Sequence, residues 1–332
     1  MRKFSLFLVV IGILLGAATE ARAAWIWTPD LGKWINPKKA AKDTPEEQLA
    51  WAMQFYDKKD WGRALEEFEK LPQFFPNSRL AAEGVYFQGL CWEARGDLAK
   101  AADQYQKLID RYPYSDRIKD AIKREYDLAG QFASGKKIKV LGMPLLTGEE
   151  KALELYGHIV KNAPFGSYGD QAQFQTGEVY KAQGEYEEAQ KAFQTVVDEY
   201  PNSELISQAR YQIANCSMLS SKKAQYNEQY AEKAIDEFQG FKKAFPTDKQ
   251  TLEAEEAIKT LRAKKAQASF ETATFYERQK KYTSAKVYYQ QVTRDYPDTD
   301  FGQQAKKKAD EMLRLETQEP NIKARKPWYK VW

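Results

Sequence analysis

Residues Gly184–Ser203 read GEYEEAQKAFQTVVDEYPNS. Ala189, Phe193 and Val196 stand at i, i+4 and i+7, a spacing that puts all three on one face of a helix. Pro201 removes a backbone donor and pushes the residue before it out of helical space, so the helix should end at Tyr200. A single amphipathic helix of this kind says little. Its meaning depends on whether it recurs.

It recurs six times. Alanine, an aromatic four residues on and a proline eight after that fit Ala64, Phe68, Pro76; Ala101, Tyr105, Pro113; and Ala152, Tyr156, Pro164. The same ruler fits Ala189, Phe193, Pro201; Ala234, Phe238, Pro246; and Ala285, Tyr289, Pro297. Three residues past each aromatic stands a further apolar residue: Leu71, Leu108, Ile159, Val196, Phe241 and Val292. Small alanines let a neighbouring helix approach, and the rings fill the groove beside them. Upstream of each ruler lies another small residue, Ala52, Gly89, Ala129, Gly177, Ala214 or Ala273. An aromatic follows three residues later in every case but Ser217. Together these positions make the 34-residue helix–turn–helix signature of tetratricopeptide repeats. The expected fold is all-α, a right-handed α-solenoid of about six helix pairs with a C-terminal capping helix near Phe301 to Leu315. Spacings above one unit place insertions near residues 132–148 and 220–226, and leave room for an extra charged helix from Leu252 to Lys264.

The first residues read as an address. Arg2 and Lys3 precede an apolar run to Ala18, and Ala21-Arg22-Ala23 offers a cleavage site, so residues 1–23 are expected to be a signal peptide for export. Its removal lowers the formal net charge from +4 to about +2. That near-neutral balance gives no ground for a nucleic-acid partner. Residues 24–43 then form a Trp-rich arm, 44–315 the repeats, and 316–332 a basic aromatic tail. Cys91 and Cys216 occupy equivalent places in repeats two and five, too far apart for a disulfide, and are expected to be small buried hydrophobes.

Nothing in the chain carries catalytic chemistry. The one histidine, His158, follows a core aromatic by two residues and reads as a partly exposed surface residue. No cofactor, metal or catalytic residue is expected, and the many acids read as solvated partners of Lys and Arg. Recognition is the better reading. Leu49, Tyr86, Tyr126, Phe174, Tyr211 and Phe270 stand three residues before the six small residues, a ladder on the first helices. Either it lines a groove for an extended, aromatic-bearing peptide, or its rings pack within and between repeats. The apolar insertion GKKIKVLGMPLLTGEE, residues 135–150, either folds back on the repeats or meets a partner. Trp328, Tyr329 and Trp332 sit among lysines and an arginine, a composition suited to a partner or to peripheral membrane contact.

The long segments running from GKKIKVLGMPLL through GEYEEAQKAFQTVVDEYPNSE, and ASFETATFYERQKKYTSAKVYYQQVTRDYPDTDFGQQA, resemble the BamD/YfiO family of outer-membrane β-barrel assembly lipoproteins. The resemblance covers about Thr44 to Leu315. It implies a non-enzymatic scaffold at the periplasmic face of the outer membrane that binds the barrel insertase and unfolded outer-membrane proteins. The family's acylated cysteine has no counterpart, since Ala24-Trp25 follows the expected cleavage site. The alternative is another periplasmic tetratricopeptide scaffold, one that coordinates envelope constriction or peptidoglycan synthesis.

Overall fold

The computed structural model describes residues 26–28, 33–35, 40–136, 138–140, 143–146, 148–223 and 228–324. The helices among them are α1 (Pro45–Asp57), α2 (Trp61–Phe74), α3 (Arg79–Ala94), α4 (Leu98–Arg111), α5 (Ile118–Ala133) and α6 (Glu149–Asn162). They continue with α7 (Gly169–Gln183), α8 (Tyr186–Glu199), α9 (Ile206–Lys223), α10 (Glu228–Ala244), α11 (Thr251–Arg278), α12 (Tyr282–Asp295) and α13 (Asp300–Ala324). The chain divides into two compact units, Met1–His158 and Ile159–Trp332. In the first unit α1 through α5 each pack on the next, and in the second α7 through α13 do the same. These are tetratricopeptide helix pairs.

The ruler positions form the core. All six alanines and all six aromatics of the ruler are buried, with Tyr156 the most exposed at 1%. Close approach of the two helices in a pair depends on the small residue opposite. A Cβ added to Gly89 would lie 2.4 Å from the Tyr105 ring, and one added to Gly177 would lie 2.6 Å from the Phe193 ring. Where the ring is a tyrosine, its hydroxyl needs a partner. Tyr105 donates to Glu93, and Tyr289 donates to Glu277 in the equivalent place.

Proline ends each second helix two residues early. The helices stop at Phe74, Arg111, Asn162, Glu199, Ala244 and Asp295. The residue before the proline leaves helical space, as in Tyr112 (φ −130°, ψ 57°) and Tyr296 (φ −133°, ψ 49°). Its amide still reaches back, Tyr112 N–H to Leu108 O and Tyr296 N–H to Val292 O. Pairs are joined by a left-handed residue five before the ruler alanine: Lys59 and Lys280 (φ 59° each), Gly96 (φ 76°) and Gly184 (φ 77°). The next amide bonds back to the first helix, Asp97 N–H to Trp92 O at 3.0 Å and Glu185 N–H to Tyr180 O at 2.9 Å, which caps that helix. Asp60 and Asp97 then cap the second helices by accepting from Arg63 N–H and Lys100 N–H.

Four features differ from the sequence reading. The insertion between α5 and α6 holds an antiparallel hairpin, β3 (Ile138–Val140) with β4 (Met143–Leu146), and β3 lies beside α4. In the N-terminal arm, β1 (Ile26–Thr28) pairs with β2 (Lys33–Ile35), and the rings of Trp27 and Trp34 meet across it at 5.7 Å. The separate charged helix expected over Leu252 to Lys264 is the first half of α11. No glycine or proline interrupts the sequence from Thr251 to Arg278, so the helix continues. Its N-terminal half packs Ala254 and Leu261 against Phe238 and Phe241, and its C-terminal half places Ala273 against Ala285 and Tyr289. The final helix also runs past Leu315, to Ala324. The signal segment lies outside the described residues.

Gly89→Ala should lower unfolding free energy by about 1–3 kcal/mol, since the added methyl overlaps a buried ring. Gly240→Ala, where a Cβ meets nothing within 4 Å, should be neutral or stabilise by roughly 0.5–1 kcal/mol. Urea titration of both variants checks this; equal effects would refute the close approach at Gly89.

Candidate functional site

The ladder residues stand one helical turn before the small residues and therefore share their face. That face looks toward the paired second helix. Tyr86 meets Tyr105 at 5.8 Å, Tyr126 meets Tyr156 at 5.7 Å, Phe174 meets Phe193 at 5.1 Å, Tyr211 meets Phe238 at 5.7 Å and Phe270 meets Tyr289 at 5.1 Å. Each ladder ring thus packs on the ruler ring of its own repeat. Tyr86 and Phe174 are only 7% and 4% exposed and belong to the core, which corrects their reading as anchors for a peptide. Arg117 covers what remains of Tyr86, its guanidinium 4.9 Å from the ring and held by Glu83 at 2.9 Å.

Leu49, Tyr126, Tyr211 and Phe270 remain half-buried, with one side packed and one edge in solvent. Tyr211 also donates to Glu253 at 3.0 Å, and burial pushes its hydroxyl up to about 12. This leaves Leu49 and Tyr126 in the first unit, and Tyr211 and Phe270 in the second, as rings or side chains a ligand can touch. Trp328, Tyr329 and Trp332 lie outside the described residues.

A polar pair, one buried carboxylate and one half-buried imidazole, was not legible in the pattern. Glu125 on α5 is fully buried, and neither of its oxygens has a hydrogen-bond partner. His158 on α6 approaches it at 3.9 Å through Nδ1, an ionic contact too long for a hydrogen bond. Burial raises the Glu125 carboxyl above the usual carboxylate range, while the imidazole opposes part of that rise. The Glu125 carboxyl in turn raises His158. The position explains the strain. Glu125 stands four residues before the small residue, where repeats one and four carry Gln48 and Gln173. Those amides donate to second-helix carbonyls, Gln48 to Glu67 O at 2.9 Å and Gln173 to Ala192 O at 3.1 Å. Each acceptor immediately precedes a ruler ring. An ionised glutamate cannot donate there; a protonated one can.

Repeat five, where Ser217 replaces the usual aromatic, is polar in the same region. Gln190 donates to the Ser217 hydroxyl and to Ile213 O at 3.2 Å, and Lys233 donates to Gln190 at 3.0 Å. Cys91 and Cys216 are both free and buried, and burial pushes each thiol up to about 12. Among the described residues no group of His, Cys, Asp and Glu is placed to hold a metal ion, and no helix is long and apolar enough to cross a membrane. What the arrangement offers is contact: ring edges and charged side chains presented on rigid helices.

Paired helices with buried small residues and rings define a tetratricopeptide repeat protein, and a tetratricopeptide repeat model matches residues 49–116. The YfiO model, described as outer membrane lipoprotein, matches residues 150–325, more than half of the chain, and the chain belongs to that family. It is therefore a tetratricopeptide protein-interaction scaffold of a family of the bacterial envelope. Among solved structures it is similar to a tetratricopeptide repeat protein from Parabacteroides merdae, at 16% identity over 81% of this chain and 98% of that one, with a TM-score of 0.34. It is also similar to MamA from Desulfovibrio magneticus, at 15% identity over 63% of this chain and 99% of that one, with a TM-score of 0.32. A third, a thermophilic tetratricopeptide protein of Thermus thermophilus, has 15% identity over 65% of this chain and 99% of that one, with a TM-score of 0.31. A comparison with curated proteins finds no match.

Both members of the Glu125–His158 pair bind protons more tightly in the folded chain than in the unfolded one. The stability they contribute is therefore complete at low pH and lost as pH rises through their raised folded values. Thermal unfolding of the intact protein should show the midpoint falling from pH 5 to pH 8. Glu125→Gln, which installs the amide that repeats one and four use, should flatten that fall and raise the midpoint at pH 8. A variant less stable than the parent at pH 8 would contradict the assignment.

Proposed function

We propose that this protein is a non-catalytic scaffold at the periplasmic face of the outer membrane, where it holds the β-barrel insertase and unfolded barrel proteins during assembly. The observation that carries the reading is membership of the YfiO outer membrane lipoprotein family over residues 150–325. The half-exposed side chains supply a physical means. Unfolded barrel strands alternate apolar and polar residues and are rich in aromatics. Tyr126, Tyr211 and Phe270 each offer a ring edge already fixed by a buried partner ring, so little side-chain entropy is lost on contact. Leu49 offers the aliphatic equivalent on α1.

In-cell crosslinking followed by mass spectrometry tests the assembly role. The barrel insertase should be the main envelope partner; recovery of peptidoglycan synthases or Tol-type components in its place would overturn it. For the contact itself, Tyr211→Ala combined with Phe270→Ala, both in the second unit, should weaken binding of an aromatic-rich barrel-strand peptide about tenfold or more, at roughly 1 kcal/mol per ring. Circular dichroism confirms that the variant remains folded. Unchanged affinity in a folded variant would make those rings core alone.

A further inference from the structure

In the first unit, α4 and α6 border a cleft of about 360 Å³. Asp103, Lys107, Asp110 and Arg111 line it from α4, and Lys151, Glu154 and His158 from α6. The charges are sorted along its length. At one end Lys151 bridges Asp103 and Glu154, both at 3.0 Å, and that end is locally neutralised. Two helical turns further along each helix the balance changes. Asp110 accepts from Gln106 at 2.8 Å. Lys107 and Arg111 stand four apart on one face of α4, and among the described residues neither has an ion-pair partner, Arg111 instead lying 5.9 Å over its neighbour Tyr112. Across from them stands His158, with Nδ1 buried toward Glu125 and the rest of its ring on the cleft wall.

Two free cations and an imidazole backed by a buried carboxylate form a receptor for an anion. We propose that this end of the cleft binds a carboxylate side chain from an acidic segment of a protein partner, with Lys107, Arg111 and protonated His158 as its cations and Glu125 as the positioning residue behind the imidazole. Glu125 acts through His158: across the 3.9 Å gap to Nδ1 it offsets the charge that the ring carries when a carboxylate sits at Nε2. Charge-assisted contacts of this kind, half-sheltered from water, are stronger than those at an open surface. The groups that face His158 are Glu125 from α5, Lys151 and Glu154 from its own helix, and Asp110, Lys107 and Arg111 from α4. Glu125 and His158 both bind protons more tightly in the folded chain, so the step in binding with pH follows this pair, and Glu125→Gln isolates the imidazole. The site is separate from the ring edges on the first helices, so its success or failure does not decide the assembly role.

His158 is the one histidine of the chain, so the imidazole of the full, untagged protein gives a single Cε1–H NMR signal. The probe is a short capped peptide with two adjacent glutamates, compared with its glutamine analogue and with inorganic phosphate. The glutamate peptide should move the titration midpoint of that signal upward by about one pH unit, equivalent to tenfold tighter binding by the protonated ring. The glutamine analogue should leave it in place. Lys107→Ala with Arg111→Ala should remove the shift while leaving the midpoint of the free protein nearly unchanged. Glu125→Gln should move the pH at which peptide affinity halves downward, an effect that a merely structural role would not produce. A signal indifferent to the glutamate peptide at millimolar concentration overturns the site. A response to phosphate without one to the peptide overturns the carboxylate assignment. An unmoved pH profile in Glu125→Gln overturns the positioning role.

Discussion

The contact on which each helix pair rests is that between a residue with little or no side chain on the first helix and an aromatic ring on the second. Gly89 under Tyr105 and Gly177 under Phe193 leave no room for a methyl group, and Ala129, Ala214 and Ala273 are buried in the same place. Removing the side chain lets the helix axes approach, and the ring then makes dense contact over both faces of the gap. Because each ring belongs to one repeat, the core is a series of similar local clusters. Repeat proteins gain stability from such units and the interfaces between neighbours, not from one long-range core.

That constraint accounts for what the surface can present. A residue three before the small position shares the inner face of its helix, so its ring is drawn toward the same gap. Tyr86 and Phe174 are drawn in fully, whereas Tyr126, Tyr211 and Phe270 keep an edge in solvent. The polar exceptions arise from the same geometry. Glu125 takes a slot that in repeats one and four holds a donating glutamine, and its nearest counter-charge is a histidine at 3.9 Å. A slot built for a donor becomes a proton-sensitive one through a change of one functional group.

The repeats were legible in the sequence because their spacing is fixed by helix geometry. Alanine, ring and proline are read directly from Ala189, Phe193 and Pro201, and the same ruler finds the other five. The proline boundaries were legible to within two residues, since the residue before proline must leave helical space. Half-burial was not. Whether Tyr86 or Tyr126 meets solvent depends on what the neighbouring repeat lays over it, and Arg117 does so for Tyr86 alone. The Glu125–His158 pair joins residues 33 positions apart across the insertion between α5 and α6, so no local pattern announces it. The hairpins escaped because strands of three or four residues leave too short an alternation to read. The continuity of α11 was available from the absence of a breaker between Lys264 and Phe270, a signal outweighed by the expected repeat length.

The central claim is that the ring and the small residue beneath it are coupled, each tolerable only because of the other. A double-mutant cycle on Gly177→Ala and Phe193→Leu, read by urea unfolding, measures that coupling. Trimming the ring should make room for the added methyl, so the double variant should be more stable than the sum of the single losses by about 1–2 kcal/mol. Losses that add to within roughly 0.5 kcal/mol would mean the two positions are independent. The helix pair would then owe its close approach to something else.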